Sequence, residues 1–260
     1  MGKTIRFGLS PMINKPYLSV IISVYNKADL LPSTLIDIDK YLRKLGFEYE
    51  VLIINDGSTD NTAEIVRKFE PVMQKLRLID NDIHRGKGYV VRQGMQEAKG
   101  ELRLLMDADN SINIDHFSQM IPYFKNETAT KYDIVIGSRF MQESRIISRP
   151  SFCNRLLNSI ESVFIRIFLL PNIRDARCEF KCFSENAAKQ IFNIAKINRF
   201  TADIEALVIG YKIGYKIKEV PVIYINNTLQ KAKLFTYCVV LWDMLKIKVR
   251  IWIGRYKITN

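Results

Sequence analysis

Cysteine is scarce in this sequence, and its spacing fits neither a disulfide framework nor a zinc site. The 260 residues contain four cysteines, Cys153, Cys178, Cys182 and Cys238. Only Cys178 and Cys182 are close together, and no second pair or histidine cluster stands at zinc-ligand spacing. We therefore expect reduced thiols, as in a cytosolic protein.

Long apolar runs are also missing. Residues 1–15 carry basic side chains but no apolar core of signal-peptide length, and uncharged apolar stretches such as 234–242 are far shorter than the ~20 residues that cross a bilayer. The sequence therefore predicts a chain with no signal peptide and no transmembrane helix. If it meets a membrane, we expect peripheral binding at the cytoplasmic face.

Acidic residues are fewer than basic residues in this sequence. The 39 Lys and Arg residues exceed the 27 Asp and Glu residues, which gives a net charge of +12 and a pI near 9.5. Such a charge favours nucleic acid, anionic lipid or phosphorylated small molecules as partners. No helix-turn-helix, zinc-finger or RNP-type signature accompanies it, so a nucleic-acid partner is a distant alternative. The 48% hydrophobic content excludes intrinsic disorder.

Between residues 17 and 139, short β-branched runs alternate with helical patterns. The runs predict strands at 18–24, 50–55, 76–79, 102–106 and 133–137, and the patterns between them predict helices at 31–45, 63–69 and 87–98. After residue 139 the pattern changes to long apolar and basic segments at 152–170 and 178–183. Helices are then predicted near 185–194 and 202–211, and a strand at 215–224. This alternation predicts an α/β fold with a mostly parallel sheet and helices on both faces.

Acidic and small polar residues follow three of these strands, where ligands bind in open α/β sheets. Asp107 and Asp109 are two residues apart in extended backbone, so both carboxylates project to one side, a geometry that suits Mg²⁺ or Mn²⁺. After another strand, Asp56 precedes Gly57, which permits close approach of a ligand. The alternatives are a turn-capping Asp-x-Asp and a simple turn before a helix cap.

The segment 84–88 places Arg85 and Lys87 at the start of a helix, where backbone amides already favour anions. It predicts a pyrophosphate or base contact. It has neither the glycine spacing of a Walker A loop nor the dinucleotide fingerprint, which argues against a P-loop NTPase and a Rossmann dehydrogenase.

In combination, these motifs resemble inverting family-two glycosyltransferases of the GT-A fold over roughly residues 17–253. The likeness is carried by segments 18–26, 55–62, 85–88, 107–109 and 137–139. Segments 174–181 and 199–205 are most similar to dolichyl-phosphate and polyprenyl-phosphate glucosyltransferases. The resemblance implies sugar transfer from a nucleotide diphosphate to a polyprenyl phosphate. It implies that Tyr25, Asn26, Asp56 and Arg85 line the nucleoside, that Asp107 contacts the nucleotide sugar and that Asp109 holds the metal.

The resemblance also places Asp203 near the sugar and acceptor, although the sequence alone favours an exposed helix face. Four arginines, Arg139, Arg145, Arg149 and Arg155, are candidates for binding the acceptor phosphate, because the planar guanidinium matches phosphate oxygens. Some of the four are expected to be surface charges.

Three positions depart from the family. Lys27 stands where an acid usually follows the Asn, Glu179 replaces a usual Gly, and Arg177 replaces Gln. UDP-glucose is the expected donor, but these changes leave open another nucleotide sugar such as GDP-mannose, and a soluble glycan acceptor is a further alternative.

The expected organisation has three parts. A basic N-terminal extension covers 1–16, a GT-A catalytic domain covers 17–228, and an amphipathic helix that lies on an anionic membrane surface covers 229–260. In the last part, Leu234, Cys238, Leu241, Leu245, Val249 and Trp252 recur at helical spacing. Its basic residues are Lys231, Lys233, Lys246, Lys248, Arg250, Arg255 and Lys257. Packing of part of this apolar stripe on the catalytic domain is the alternative.

Overall fold

The computed structural model describes residues 15–125, 130–147, 152–225 and 234–256, without the side chains of 152–158, 160 and 234–238. Most of the predicted N-terminal extension, Arg149, Lys231, Lys233 and Lys257 therefore lie outside the described residues, as do the side chains of Arg155, Leu234 and Cys238. The sequence division at residue 229 falls in the gap before the last described segment.

Within these ranges, the strands form a seven-stranded sheet and a two-stranded sheet. The strands are β1 (Leu18–Val24), β2 (Tyr49–Asp56), β3 (Leu76–Asn81), β4 (Leu102–Met106), β5 (Ile134–Ser138), β6 (Arg145–Ile146), β7 (Lys181–Ser184), β8 (Ile217–Pro221) and β9 (Ile223–Tyr224). The large sheet has the order β3-β2-β1-β4-β7-β5-β8, and β6 pairs with β9. Strand β7 is antiparallel to both β4 and β5, and the other pairs are parallel. This confirms the mostly parallel sheet.

Eight α-helices are described. They are α1 (Leu31–Leu42), α2 (Thr62–Phe69), α3 (Lys87–Glu97), α4 (Ile121–Phe124), α5 (Phe152–Phe168), α6 (Glu185–Ile194), α7 (Ala202–Lys212) and α8 (Leu234–Trp252), and a 3₁₀ helix spans Ile114–Gln119. The side chains of successive strand residues point to opposite faces of the sheet. Ile21 packs in the cluster with α3, α6, α7 and α8, whereas Val20 and Ile22 pack in the cluster with α1.

Two local features differ from what the sequence pattern alone indicates. The residues at the start of α2 have the sequence Asn61-Thr62-Ala63-Glu64, but the Asn61 side chain makes no capping hydrogen bond; the backbone N–H of Thr62 donates to Asp60 Oδ1 at 3.0 Å. The strand predicted at 215–224 is two strands, because Val222 N–H turns to Ser144 Oγ and the chain then pairs with β6.

Helix α8 packs against the body of the protein along one face. Met244 and Ile247 are completely buried in the core that contains α6 and α7. Polar contacts reinforce this packing, since Thr201 Oγ1 donates to Asp243 Oδ2 at 3.1 Å and Arg250 pairs with the buried Glu205 at 3.0 Å. Part of the predicted amphipathic segment thus belongs to the folded core.

Candidate functional site

A cavity of about 780 Å³ opens at the carboxyl ends of β1, β2 and β4. Parallel strands direct these ends to one edge of the sheet, which is where open α/β sheets bind ligands. The described residues that line it are Ser23, Val24, Tyr25, Asn26, Lys27, Asp56, His84, Gly86, Lys87, Val90, Asp107, Ala108, Asp109, Glu179, Arg199, Phe200, Thr201, Val239, Val240 and Asp243. We call it the large cavity.

Asn26 joins the loop after β1 to the loop after β2. It adopts a left-handed backbone conformation with φ of 51°, which Asn tolerates better than most residues. Its Oδ1 accepts from Thr59 N–H at 2.8 Å, and its own N–H donates to Ser58 Oγ at 2.9 Å. Asn26 therefore fixes the relative position of two strand ends that border the cavity.

The carboxylate of Asp56 holds the segment that precedes α3. Only 2% of the residue is exposed, and its two oxygens accept from Arg85 N–H at 2.8 Å and Gly86 N–H at 3.0 Å. His84 Nδ1 lies 2.9 Å from Asp56 Oδ2, and the His84 ring packs on Tyr25 with ring centroids 4.1 Å apart. These contacts place an aromatic pair beside a buried carboxylate at the large cavity.

Two glycines permit the close approach on which this arrangement depends. A Cβ on Gly57, where φ is 67°, would lie 2.7 Å from the backbone of Ile83 and His84. A Cβ on Gly86, where φ is 99°, would lie 2.3 Å from the carbonyl oxygen of Asn198. The 84–88 segment is thus pressed between the loop after β2 and the segment that leads into α7.

Lys87, the first residue of α3, connects two carboxylates at the cavity. Its Nζ donates to Asp107 Oδ1 at 2.8 Å and forms an ion pair with Glu179. The Lys87 side chain is 21% exposed and the Asp107 side chain 35%. Glu179, which the sequence indicated only as a departure from the family, therefore lies in the site.

Asp107 and Asp109 both follow β4 and both line the large cavity. Asp109 Oδ1 accepts from the backbone N–H and the hydroxyl of Ser111, at 3.0 and 2.5 Å. The described residues include no group of three or more His, Cys, Asp or Glu side chains placed to hold a metal. The two carboxylates nevertheless fit Mg²⁺ or Mn²⁺, because such ions commonly take one or two carboxylates and complete their coordination with substrate phosphates and water.

The C-terminal helix contributes to the same cavity, which the sequence did not predict. Val239, Val240 and Asp243 of α8 line it together with Phe200 and Thr201. The sequence feature that could have indicated it is Asp243, the one acidic residue in an otherwise basic segment. In the structure Asp243 is 3% exposed and accepts a hydrogen bond from Thr201. Phe200, at 67% exposed, lies at this side of the cavity.

A second cavity of about 190 Å³, the small cavity, adjoins Asp107 and Glu179. Its described lining also contains Ser111, Ile112, Arg139, Arg177, Cys178, Phe180 and Tyr224. Burial raises the pKa of Cys178 to about 12, so this thiol stays protonated at neutral pH. Cys178 and Cys182 are both free and buried.

Arg139 reaches the small cavity but is held by Asp175. Its Nε and Nη2 donate to the two carboxylate oxygens, each at 2.8 Å, and Asp175 is 2% exposed. Burial opposes ionisation of Asp175, but the hydrogen bonds and charge of Arg139 outweigh it and keep the pKa of that carboxyl below its usual value. The predicted acceptor-phosphate role of Arg139 remains a prediction.

Asp203 lies in the first turn of α7, and its side chain is 13% exposed. Its Oδ2 accepts from the completely buried Lys181 at 2.8 Å. Asp203 is not among the described residues that line either cavity. The alternative that Asp203 lies on an exposed helix face is therefore wrong, and its catalytic role remains a prediction.

Most of the predicted donor residues meet at the large cavity: Tyr25, Asn26, Asp56, Lys87, Asp107 and Asp109. Arg85 contributes its backbone N–H to Asp56, while its guanidinium lies over the Tyr89 ring at 4.8 Å. Arg145 is exposed on β6, outside the described linings of both cavities.

A mostly parallel sheet with two carboxylates after its central strand β4, and with Lys87 at a helix start beside them, is typical of the nucleotide-sugar transferase fold of the GT-A type. A profile of glycosyl transferase family 2 matches residues 19–192. The chain belongs to this family and is a glycosyltransferase.

Comparisons with individual proteins agree with this assignment. A dolichyl-phosphate beta-glucosyltransferase of Dictyostelium discoideum is 31% identical over 257 residues, which cover 95% of this chain and 79% of the relative. A mannosyltransferase from Pyrobaculum calidifontis, solved with GDP-Man and Mn²⁺, has a TM-score of 0.58 at 19% identity. The match covers 92% of this chain and 65% of the mannosyltransferase. Glucosyl-3-phosphoglycerate synthase from Mycobacterium tuberculosis, solved with UDP, has a TM-score of 0.62 at 13% identity. The match covers 99% of this chain and 88% of the synthase.

Proposed function

We propose that this protein transfers glucose from UDP-glucose to a dolichyl or related polyprenyl phosphate, with inversion at the anomeric carbon, at a membrane surface. The observation that carries the proposal is the 31% identity to a dolichyl-phosphate beta-glucosyltransferase across 95% of this chain. The large cavity is lined by Asp56, the Tyr25–His84 pair, Asp107 and Asp109, and this combination is suited to such a donor.

The chemistry asks little of a general base. An oxygen of the acceptor phosphate attacks the sugar C1, the bond from C1 to the diphosphate oxygen breaks, and UDP leaves with the electron pair. A phosphate monoester has a second pKa of about 6, so the nucleophile is already ionised near neutral pH. The protein must hold the two substrates in line and stabilise the charge of the departing diphosphate.

Asp109, with Asp107, is proposed to hold Mg²⁺ or Mn²⁺ against the donor diphosphate. When bound, such an ion supplies Lewis-acid stabilisation of the leaving group. Lys87 holds the Asp107 carboxylate in place through its 2.8 Å contact. The structural neighbour with Mn²⁺ supports a divalent metal but leaves open which one.

Exposed apolar side chains on α5 and on α8, the helix that also lines the large cavity, support action on a lipid-linked acceptor. Helices α5 and α8 contact each other, and Lys248 Nζ donates to the carbonyl of Phe168 at 3.0 Å. The exposed apolar side chains of this surface are Val163, Ile167, Phe168, Trp242, Leu245, Val249, Trp252 and Ile253. Lys246, Lys248 and Arg255 lie on the same helix or just beyond it, a combination typical of interfacial helices.

No helix in the described part of the chain is long and apolar enough to span a bilayer. We propose peripheral binding through the α5–α8 surface to anionic lipid, and the cytoplasmic face predicted from the sequence remains a prediction. GDP-mannose stays the second donor candidate, because the fold is shared with an enzyme solved with GDP-Man. A soluble glycan acceptor is disfavoured by the exposed apolar surface.

The experiment that tests the proposal offers purified protein a panel of radiolabelled nucleotide sugars with dolichyl phosphate in detergent, and then extracts lipid into organic solvent. Label from UDP-glucose in the organic phase, dependent on dolichyl phosphate, is the expected result. Label that enters only from GDP-mannose, or that reaches a soluble glycan acceptor and never the lipid, contradicts the proposal.

A further inference from the structure

Glu179 lies where the two cavities meet. Asp107 and Glu179 are the two carboxylates that border both of them, among the residues the structure describes. Besides these two shared residues, the lining of the large cavity includes Asp56 and the aromatic pair, and the lining of the small cavity includes Arg177 and Tyr224. A donor whose nucleotide fills the large cavity therefore brings its sugar to the Asp107–Glu179 boundary.

The Glu179 carboxylate is held by an ion pair to Lys87. The same Nζ contacts Asp107 Oδ1 at 2.8 Å, so one cation links the two carboxylates that form the boundary. Glu179 retains 28% side-chain exposure and remains open to a ligand from the cavities. A carboxylate prepared in this way accepts hydrogen bonds with little loss of side-chain freedom.

The small cavity has the chemical character of a site for a neutral polar ligand. Hydroxyls of Ser111 and Tyr224 border it. Its charged lining residues and their direct partners comprise three cations, Arg139, Arg177 and Lys87, and four carboxylates, Asp107, Glu179, Asp175 and Glu161. With no excess positive charge, this cavity suits a sugar ring better than a phosphate dianion.

We propose that the small cavity receives the hexose of the donor and that Glu179 selects among hexoses by accepting hydrogen bonds from sugar hydroxyls. The inference rests on the proposed nucleotide-sugar donor. A carboxylate accepts from two hydroxyls at once, and a site built to pair with a substrate hydroxyl rejects analogues that lack it or place it differently.

Calorimetry with UDP, UDP-glucose, UDP-galactose and UDP-xylose tests the proposal on the wild-type protein and on Glu179→Gln and Glu179→Gly. We expect the wild-type protein to prefer one sugar over the others by at least tenfold. Both variants should lose most of this preference, while the Kd for UDP alone changes less than threefold. Glu64→Gln, on the exposed face of α2, is the matched control and should match the wild-type protein.

A uniform change in affinity for UDP and every sugar nucleotide would overturn the proposal, because it would make Glu179 a positioning residue for Lys87. Unchanged preference, or a wild-type protein that binds all sugars alike, would also overturn it. The measurement uses no lipid acceptor, so loss of preference in a protein that transfers nothing to dolichyl phosphate would refute the proposed function and leave this inference standing. If UDP does not bind, the comparison is made with the corresponding GDP sugars.

Discussion

Lys181 and Asp203 form an ion pair of 2.8 Å that joins β7 to the first turn of α7. The Lys181 side chain has no exposed surface. Its ammonium group is paired with the Asp203 carboxylate and also donates to the carbonyl oxygen of Cys178. Removal of one member of a buried pair typically costs ~3–5 kcal/mol, because the other charge is left uncompensated. The pair gives Asp203 a structural role that is separable from the catalytic role the sequence suggested.

Asp203→Asn should therefore lower the free energy of unfolding by about 3 kcal/mol, as measured by urea denaturation. The double variant Lys181→Met with Asp203→Leu removes both charges and should recover most of that loss. If Asp203 also acts on the sugar or acceptor, the recovered double variant will bind UDP normally but show a kcat at least a hundredfold lower. Near-normal kcat in the double variant would assign Asp203 to structure alone.

Metal removal should abolish transfer. EDTA is expected to stop the reaction and Mg²⁺ or Mn²⁺ to restore it, because Asp107 and Asp109 lie together at the large cavity. Asp109→Asn should lower kcat/KM by at least a hundredfold, which corresponds to ~2.7 kcal/mol of transition-state stabilisation. Asp115→Asn, on the nearby 3₁₀ helix but outside the described cavity linings, is the control. Full activity of Asp109→Asn in chelator would contradict the metal assignment.

UDP should bind more tightly than GDP by at least tenfold in calorimetry. Asp56 and the Tyr25–His84 pair shape the proposed base site, and Asp56 also fixes the backbone of residues 85 and 86. Asp56→Asn should weaken UDP binding by about tenfold or more, in line with loss of a charge-assisted hydrogen bond worth ~1.5–3 kcal/mol. Tighter binding of GDP would make GDP-mannose the better donor candidate.

The exposed face of α8 should be needed for membrane binding. Deletion of the helix is unsuitable as a test, because Met244 and Ile247 belong to the core. Val249→Ser with Trp252→Ser changes side chains that are 52% and 87% exposed, so folding should be preserved. We expect at least tenfold weaker co-sedimentation with anionic liposomes at low salt.

Val72→Ser, at a side chain that is 62% exposed near the end of α2, is the matched control and should bind liposomes normally. High salt should weaken binding of the wild-type protein, since each basic residue near an anionic surface contributes ~1 kcal/mol. Equal binding by the double variant and the wild-type protein would exclude this face as the membrane contact.

The free energy of unfolding should fall at acid pH, because protonation of Asp175 breaks its ion pair with Arg139. The pKa of Asp175 is lower in the folded than in the unfolded protein, so ionised Asp175 stabilises the fold above the unfolded pKa of ~4. This contribution is lost as pH falls from ~4 through the lower folded pKa. Urea denaturation between pH 6 and pH 3 should show a steeper loss for the wild-type protein than for Asp175→Asn. Parallel slopes would contradict the assignment.

The sequence predicted the sheet because its strands are apolar runs of β-branched residues with clear polar ends. The strand end at Asp107 and Asp109 and the glycine at 57 were predictable for the same reason, since the chemistry is local. The antiparallel orientation of β7 and the division of 215–224 into two strands depend on contacts between distant segments. No local pattern encodes them.

Long-range packing also explains what the sequence could not place in the site. Asp243 joins the large cavity because α8 docks on the segment before α7, and Glu179 joins it because Lys87 reaches across from α3. Arg139 was predicted from its charge type as a phosphate ligand, but its buried partner Asp175 lies 36 residues away in sequence. Side-chain pairing over such separations is decided by the fold.

Phosphorus NMR of one reaction mixture tests the central claim most directly. Wild-type protein, Mg²⁺, UDP-glucose and dolichyl phosphate in anionic liposomes should convert the lipid phosphate monoester signal to a phosphodiester signal, with UDP released in a one-to-one ratio. Proton couplings of the isolated lipid should report a β-linked glucosyl unit. Release of UDP with the monoester signal unchanged, or no reaction with UDP-glucose beside turnover of another donor, would contradict the account.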